Sequence, residues 1–339
     1  MRKKMIMKIN ELPTGYLFTD IYDKGELETL SIGDYGKKHN IKADFLGFTD
    51  EINGVPNMKC MPLSEKWVMT LSTQYGCAMK CKFCDCPKIP FNGNASLRDL
   101  KSQFTQARWM FPGVKYTERL NVHFARMGEP LFNFNNVYDF AEELHTDKLA
   151  IQQDLNLRVE VIHPVLTSCV PNAIGFARTL DRLERWTHLK NYTYNGQAGL
   201  QLSINSTNDA QRNEMFNNGV YDLETLSNIC GFLPEPIGRK YCLNFAYCED
   251  FEVDAKRLRE LFNPDYFMVK ITPIHNNTAC RENGIETVGG YDSYAPYRKV
   301  EKDLIDFGFD VLVFVPSMDE EDGLVTCGNL VLSGTELRV

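Results

Sequence analysis

The sequence predicts an α/β fold: a partial (β/α)6 barrel of parallel strands, preceded by a short β-rich extension. Three observations predict it. From Trp67 onward, short apolar and β-branched runs alternate with stretches of helical period, and repeated β/α units imply a parallel sheet covered by helices. The residues with reactive side chains fall at the ends of the strand-like runs, where function collects in folds of this class. At 339 residues the chain can bury one large core and little more. It divides into an extension at residues 1–62, the barrel at 63–315 and a C-terminal segment at 316–339.

Residues 42–49 alternate apolar and polar as a strand does, Asn53-Gly54 suits a hairpin turn, and 58–61 can return as its partner. Residues 67–73 read as the first barrel strand and deliver a cysteine-rich loop. Helix 96–110 follows and stops at Pro112-Gly113. Further strands are expected at 120–125, 158–166, 200–205, 241–247, 267–273 and 310–315, and helices at 133–145, 171–183, 209–216, 223–232, 253–262 and 297–307. Helix 133–145 carries Val137, Phe140, Ala141 and Leu144 at i, i+3, i+4 and i+7. Asn208-Asp209 suits a helix start, and Gly308 suits the end of the last helix. Residues 276–292 contain Asn283-Gly284 and Gly289-Gly290 and read as a loop placed to act as a lid.

The net charge of −8 weighs against a protein that grips a nucleic-acid backbone over its whole surface. Eleven cysteines, an odd number in a long chain, argue against a disulfide framework and for a reducing compartment, with the cytoplasm as the expected location. No apolar run reaches the ~18–20 residues of a membrane span, and residues 1–7 are basic without the apolar stretch of a secretory signal.

Reactive chemistry concentrates in Tyr75-Gly76-Cys77-Ala78-Met79-Lys80-Cys81-Lys82-Phe83-Cys84. Cys77, Cys81 and Cys84 have C-x3-C-x2-C spacing, so their thiolates can converge on one metal centre. Three ligands leave a coordination position open for substrate or chemistry, and an iron–sulfur cluster ordinarily takes four cysteines. A half-formed zinc knuckle or three unrelated core thiols is the plain alternative, although no second cysteine pair or nearby histidine completes a zinc set.

Other candidates lie at later strand ends. Gly128 lets backbone approach a ligand, and Glu129 can accept hydrogen bonds from an ammonium group; a simple strand-to-helix turn explains the same residues. Ser168, Ser203 and Asn205 offer short hydroxyls and an amide suited to a ribose. His275 follows the strand at 267–273, and Cys327 stands near the C-terminus. A lone histidine is more often structural, and a free cysteine is usually a small buried hydrophobe.

The cysteine motif, with the aromatic Phe83 before its third member, resembles the radical S-adenosylmethionine (SAM) signature. Followed by Phe91-Asn92-Gly93-Asn94, it resembles more narrowly the cluster loop of the RlmN/Cfr family of radical SAM RNA methylases. Arg126-Met127-Gly128-Glu129-Pro130-Leu131-Phe132-Asn133 through Val137 is close to that family's M-G-E-P-L-x-N-x-x-N-V run. Ser203-Ile204-Asn205 through Asp209 resembles its S-L-H-A-P-N-D segment, and Cys327-Gly328-Asn329-Leu330 its terminal C-G-Q-L. The resemblance implies a partial TIM-type barrel of the radical SAM type and a [4Fe-4S] cluster on Cys77, Cys81 and Cys84. It implies SAM contacts at Phe83, Gly128, Glu129, Ser168, Ser203, Asn205 and His275, and a methyl-carrying role for Cys327. It further implies a reductant such as flavodoxin or ferredoxin, and an adenosine in RNA, or a nucleotide, as substrate.

The chain departs from the family pattern in four places. The resolving cysteine, seven positions before Cys77, is Thr70, and the acidic residue thirteen positions earlier is Asn57. The histidine of S-L-H is Asn205, and the asparagine after the sixth strand is His275. Cys60, Cys86 and Cys169 are candidates, by position, for a substitute resolving thiol. The acidic run Asp319-Glu320-Glu321-Asp322 lacks the arginines that RNA would favour. Two other readings stay open on the sequence: radical chemistry without methyl transfer on a small molecule or peptide, and a degenerate member that only binds RNA or a partner.

Overall fold

The computed structural model describes residues 6–12, 14–33, 51–52, 55–56, 62–285, 295–314 and 324–333. Its main sheet has ten strands in strictly sequential order. β1 (Ile6–Leu12), β2 (Gly15–Tyr22) and β3 (Gly25–Gly33) form an antiparallel meander, and β3 runs antiparallel to β4 (Lys66–Leu71). From β4 onward each strand is parallel to the next: β5 (Tyr116–Phe124), β6 (Arg158–Ser168), β7 (Gly199–Ser203), β8 (Tyr241–Tyr247), β9 (Phe267–Pro273) and β10 (Val311–Val313). Helices α1 (Leu97–Trp109), α2 (Phe134–Thr146), α3 (Lys148–Leu155), α4 (Phe176–His188), α5 (Asp209–Met215), α6 (Leu223–Cys230), α7 (Ala255–Leu261), α8 (Thr278–Glu282) and α9 (Ala295–Asp306) fill the crossovers. This is a mixed α/β, partial-barrel architecture, as the sequence predicts.

Period-two burial explains the layering. In β4, Trp67, Met69 and Leu71 are buried, while Lys66, Val68 and Thr70 alternate with them as half-buried residues of the other face. In β9, Phe267, Val269, Ile271 and Pro273 are buried and Met268, Lys270 and Thr272 half-buried. One face thus packs into the large apolar core beneath the helices. The other is polar and partly open, as suits a barrel that receives a ligand. α2 buries the predicted stripe Val137, Phe140, Ala141 and Leu144. α1 starts at a reciprocal cap between Ser96 and Asp99, and Asn208 caps α5 through the N–H groups of Ala210 and Gln211.

Two expectations shift. The helix predicted at 171–183 begins at Phe176, because Pro171 opens a single tight turn and Gly175 then sits at φ +83°. The stretch 276–292 is not an open loop in its first half. Asn277 caps α8 there, the Asn277 amide donates to the Phe83 carbonyl (2.9 Å), and Asn283 donates to the Lys82 carbonyl (3.0 Å). Residues 286–292 lie outside the described residues.

At the N-terminus, short strands at Glu51–Ile52 and Val55–Pro56 bracket the expected Asn53-Gly54 turn. The strand expected at 42–49 and its partner at 58–61 lie outside the described residues. The meander β1–β3 was not anticipated. In β3, residues 27–33 are all buried, so its polar members Glu28, Thr29 and Ser31, which by themselves suggest a solvent face, lie inside the fold. Both faces are covered: α1 packs on β3, and a C-terminal helix, α10 (Asn329–Leu332), packs on β1, β2 and β3. Leu330 is 2 % exposed in a small apolar cluster with Leu12, Leu17, Leu30 and Ile32. Among the described residues no helix is long and apolar enough to cross a membrane.

Candidate active site at the barrel mouth

The cysteine loop leaves the carboxyl end of β4 and is pinned on three sides. A two-residue ladder pairs Gln74–Tyr75 with Gly93–Asn94. The Lys82 N–H donates to the Met215 carbonyl (2.8 Å), and Asp85 accepts from the Ala279 N–H (2.9 Å) and from Lys88 (3.0 Å). Phe83 stacks edge-on against Phe216 at 5.4 Å. Cys77, Cys81 and Phe83 lie against an apolar cluster containing Met79, Cys169, Phe216 and Ile274, which shields the loop from water.

The three thiols are half-buried. Burial pushes Cys77 up to about 12 and Cys81 well above its usual value, each with a smaller push from Cys84. A hydrogen bond from Cys86 pulls Cys84 downward. Bare, Cys77 and Cys81 therefore stay protonated, and binding a metal would expel protons, as thiolate ligation requires. Among the described residues no three His, Cys, Asp or Glu side chains converge tightly enough for a single ion. Three cysteine thiols on one loop, with no histidine or fourth cysteine of the motif beside them, are a donor set that would suit a [4Fe-4S] cluster with one iron left open.

Glu129 is 4 % exposed. Its carboxylate accepts from Ser168 Oγ (2.6 Å), the Leu131 N–H (2.9 Å), the Cys169 N–H (3.1 Å) and Cys169 Sγ (3.2 Å). Burial raises its pKa, and the opposing influences are hydrogen bonds from these neutral donors. A buried carboxylate so arranged fits a cationic ligand group such as the ammonium of SAM. Glu129 is reached through Gln74, whose Oε1 accepts from the Ala78 N–H (3.2 Å) and the Glu129 N–H (3.0 Å) and whose amide donates to Asn94 (2.7 Å). This amide ties the cysteine loop to the Gly128-Glu129 turn. Gly128 sits at φ +97°, and a Cβ there would stand 2.5 Å from Gln74 Cβ. Gly128→Ala is therefore expected to cost about 2–4 kcal/mol in denaturant unfolding, with the Gln74 bridge displaced.

The sign of the Glu129 shift makes a second expectation. A carboxyl with a raised folded-state pKa favours the folded state below its unfolded value and loses that contribution as pH rises through the folded value. Without ligand, Glu129→Gln should therefore gain stability relative to wild type as pH rises from about 4.5, the ordinary value. Thermal melts of both proteins across that range check it; a constant difference would contradict it.

The remaining predicted residues fall around one mouth. A cavity of about 380 Å³ is lined by Phe83, Cys84, Ser203, Asn205, His275 and Cys327, together with Thr70, Ala125, Arg126, Asn244 and Lys270. Asn205 is buried at φ +63° and accepts from the Ala246 N–H (3.0 Å). His275 is pushed down to about 4, first by burial and then by Arg126, so it is neutral near pH 7. Gly128, Glu129, Ser168, Cys77 and Cys81 do not line this cavity and sit beside it around the Glu129 network. Of the candidate resolving thiols, Cys60 lies outside the described residues, as does Asn57. Cys169 is turned toward Glu129. Cys86 is buried, and its Sγ would lie 3.2 Å from a Cβ at Gly328, beside the C-terminal segment. The acidic run at 319–322 also lies outside the described residues.

Three residues that shape the mouth escaped the sequence reading. Arg212 is fully buried and donates to the carbonyls of Ser203 and Ile204, each at 2.6 Å, and to that of Cys169 at 3.4 Å. It thereby clamps the ends of β6 and β7. Glu28 and Arg126 pair with each other, both buried, and hold the chain on both sides of Cys327. Only Arg126 had a sequence signal, its place beside Met127-Gly128-Glu129. Cys327 donates to the Ala125 carbonyl at 3.6 Å.

No family model matches the chain. It is 27 % identical over 281 residues to the dual-specificity RNA methyltransferase RlmN of Pseudomonas fluorescens, an alignment covering 80 % of this chain and 65 % of that one. It is 26 % identical over 216 residues to a probable RlmN of Petrotoga mobilis, covering 62 % and 55 %. The chain thus spans about two thirds or less of the length of these curated relatives. In structure it is similar to a radical SAM methyltransferase from Sphaerobacter thermophilus, with a TM-score of 0.63 at 16 % identity, covering 96 % of this chain and 80 % of the other. That likeness shows the fold, and the similarity to relatives named RlmN is in keeping with the resemblance carried by the cysteine loop, the Gly128-Glu129 turn and the terminal cysteine: the chain is similar, at a divergent level, to the RlmN/Cfr-like radical SAM proteins.

Proposed function

We propose that the chain holds a [4Fe-4S] cluster on Cys77, Cys81 and Cys84 and SAM beside it, and methylates an adenosine-type base in RNA or a nucleotide through a methyl group carried on Cys327. The observation that carries this reading is the shared cavity. Cys84 and Phe83 of the cysteine loop and Cys327 of the C-terminal segment, remote in sequence, line one space of about 380 Å³. Cluster and SAM together supply a methyl group and a 5′-deoxyadenosyl radical.

The chain's own residues bind, orient and exclude water. Glu129 receives the SAM ammonium, and Gly128 lets the backbone come close. Ser168 holds the carboxylate in place (2.6 Å), while Ser203 and Asn205 suit a ribose. The apolar cluster around Phe83 and Ile274 keeps water from a radical. Cys327 answers a chemical problem: a ring carbon of adenine-like character is electrophilic and does not accept a methyl cation, so the methyl must first be parked on sulfur.

The relatives named as RNA methyltransferases support RNA as substrate. The overall charge of −8 does not by itself favour it, yet cations gather at the barrel. Burial pushes Lys66 down to about 8, with Arg119, Arg239 and Lys270 adding to the shift. Of these, Lys270 lines the mouth cavity, where an anionic substrate would meet it together with Arg126, while Lys66, Arg119 and Arg239 lie toward the amino ends of the strands. A one-electron donor such as flavodoxin or ferredoxin supplies the electron, and a reducing compartment, the cytoplasm, suits the ten described cysteines, all unbridged.

One observation favours a second reading, radical chemistry without methyl transfer. Thr70 lines the cavity with Cys327, and a hydroxyl cannot release a carbon–sulfur adduct by forming a disulfide. Anaerobic protein reconstituted with iron and sulfide, then given reductant and SAM, decides between them. Formation of 5′-deoxyadenosine together with a methyl mass on Cys327 supports the methylase. 5′-Deoxyadenosine with Cys327 unmodified supports the second reading, and no cleavage by a cluster-loaded sample sinks both.

A further inference from the structure

The meander β1–β3 has no place in the reading above, yet a fully buried charge in it points at the C-terminal segment. Glu28 in β3 is 0 % exposed. Its Oε1 accepts from the Gly328 N–H (3.1 Å) and from Arg126; its Oε2 accepts from the Leu330 N–H (3.1 Å) and the Val331 N–H (3.2 Å). Arg126, beside the Met127-Gly128-Glu129 turn, donates to the Val325 and Thr326 carbonyls as well as to Glu28. Lys8 of β1 donates to the Leu330 carbonyl (3.3 Å) and the Val331 carbonyl (2.8 Å). Main chain is thus gripped immediately before Cys327 and immediately after it.

We propose that Glu28, with Arg126 and Lys8, is a positioning clasp that sets the register of the C-terminal segment and so holds Cys327 at the barrel mouth. This rests on Cys327 being the reactive thiol of the proposed function. The physical reason is specificity. Leu330 alone, seated among Leu12, Leu17, Leu30 and Ile32, anchors the segment by apolar contact, which tolerates sliding. A carboxylate that takes the Gly328, Leu330 and Val331 N–H groups does so around a turn in which Gly328 sits at φ +88°. Glycine adopts that conformation readily, and a slip of one residue would hand it to a side-chain-bearing neighbour. A buried ion pair is weak evidence for stability and better attested as a device that fixes register. In the clasped register the Cys327 thiol reaches the Ala125 carbonyl (3.6 Å), the residue next to Arg126, on the same rim as Cys84. The N-terminal strands then serve as a platform for a cysteine some three hundred residues away in sequence.

The test uses the full chain with Glu28→Gln and Lys8→Met, kept reduced. Hydrogen exchange of peptides spanning 324–333 and the alkylation rate of Cys327 by N-ethylmaleimide are both read by mass spectrometry. Glu28→Gln should raise both by about tenfold or more, and Lys8→Met by about threefold, while exchange in β5 and β6 stays as in wild type. In reconstituted protein, methyl on Cys327 per 5′-deoxyadenosine formed should fall in the same order, a split that general destabilisation does not produce. Exchange and alkylation within about twofold of wild type in both variants would overturn the clasp. Should Glu28→Gln not fold, Lys8→Met decides alone by the same two rates. If wild type never acquires a methyl group, the proposed function fails, and exchange and alkylation still decide whether the clasp exists.

Discussion

Cys84→Ala should leave the protein folded and abolish cleavage of SAM. The loop that carries Cys84 is held mostly by groups other than its thiol: Asn277 binds the Phe83 carbonyl, Asp85 binds α8 and Lys82 binds α5. The substitution therefore removes a ligand while the scaffold stays. A three-thiolate set has no spare member, so the loss should reach at least about a thousandfold, equivalent to ~4 kcal/mol of barrier. Visible absorption of the reconstituted cluster, iron content and 5′-deoxyadenosine are the measurements, with far-ultraviolet circular dichroism as the check on folding. Full iron loading with cleavage intact would place the cluster on other thiols and end the functional reading.

Cys327→Ala should separate the two halves of the reaction. Methylation of substrate should vanish, because no other described cysteine both lines the mouth cavity and lies outside the cluster motif. Cleavage of SAM should continue, since the residues assigned to cluster and SAM come from the strand ends. In the wild-type protein the same thiol carries a pH signature. Burial pushes Cys327 up to about 12, with the Arg126 charge pulling the other way. The thiolate is the nucleophile, so the rate of methyl loading onto Cys327 should rise roughly tenfold per pH unit through the neutral range, until another step limits. Mass analysis of Cys327 over time at several pH values reads this directly. A flat profile would mean that the thiol is already ionised in the loaded enzyme, or that loading is not rate-limiting.

The motif-bearing half of the candidate site was legible in the sequence because its residues lie close together along the chain. C-x3-C-x2-C, Gly128-Glu129 and the strand-end hydroxyls each lie within a few residues, and the β/α alternation places them on one rim. The helix at 134–146 was legible for the same reason, its stripe of Val137, Phe140, Ala141 and Leu144 being set by a 3.6-residue period. Residues that act across the fold left no such trace. Glu28 looks like one more charge in Gly25-Glu26-Leu27-Glu28, and nothing near it in sequence says that it is fully buried. Arg212 looks like a solvated helix residue, yet it turns inward onto the carbonyls that end β6 and β7.

The sequence alone determined the parallel α/β scheme and supplied the candidate ligand set and the candidates around its rim, since spacing along a chain constrains which side chains can share a loop or a helix face. Only the tertiary structure decided that Cys327 stands beside Cys84, and that the first strands and the last helix lock together through Glu28. Both contacts join residues hundreds of positions apart, and such pairings are fixed by how the sheet closes and which faces bury, quantities that no local period records.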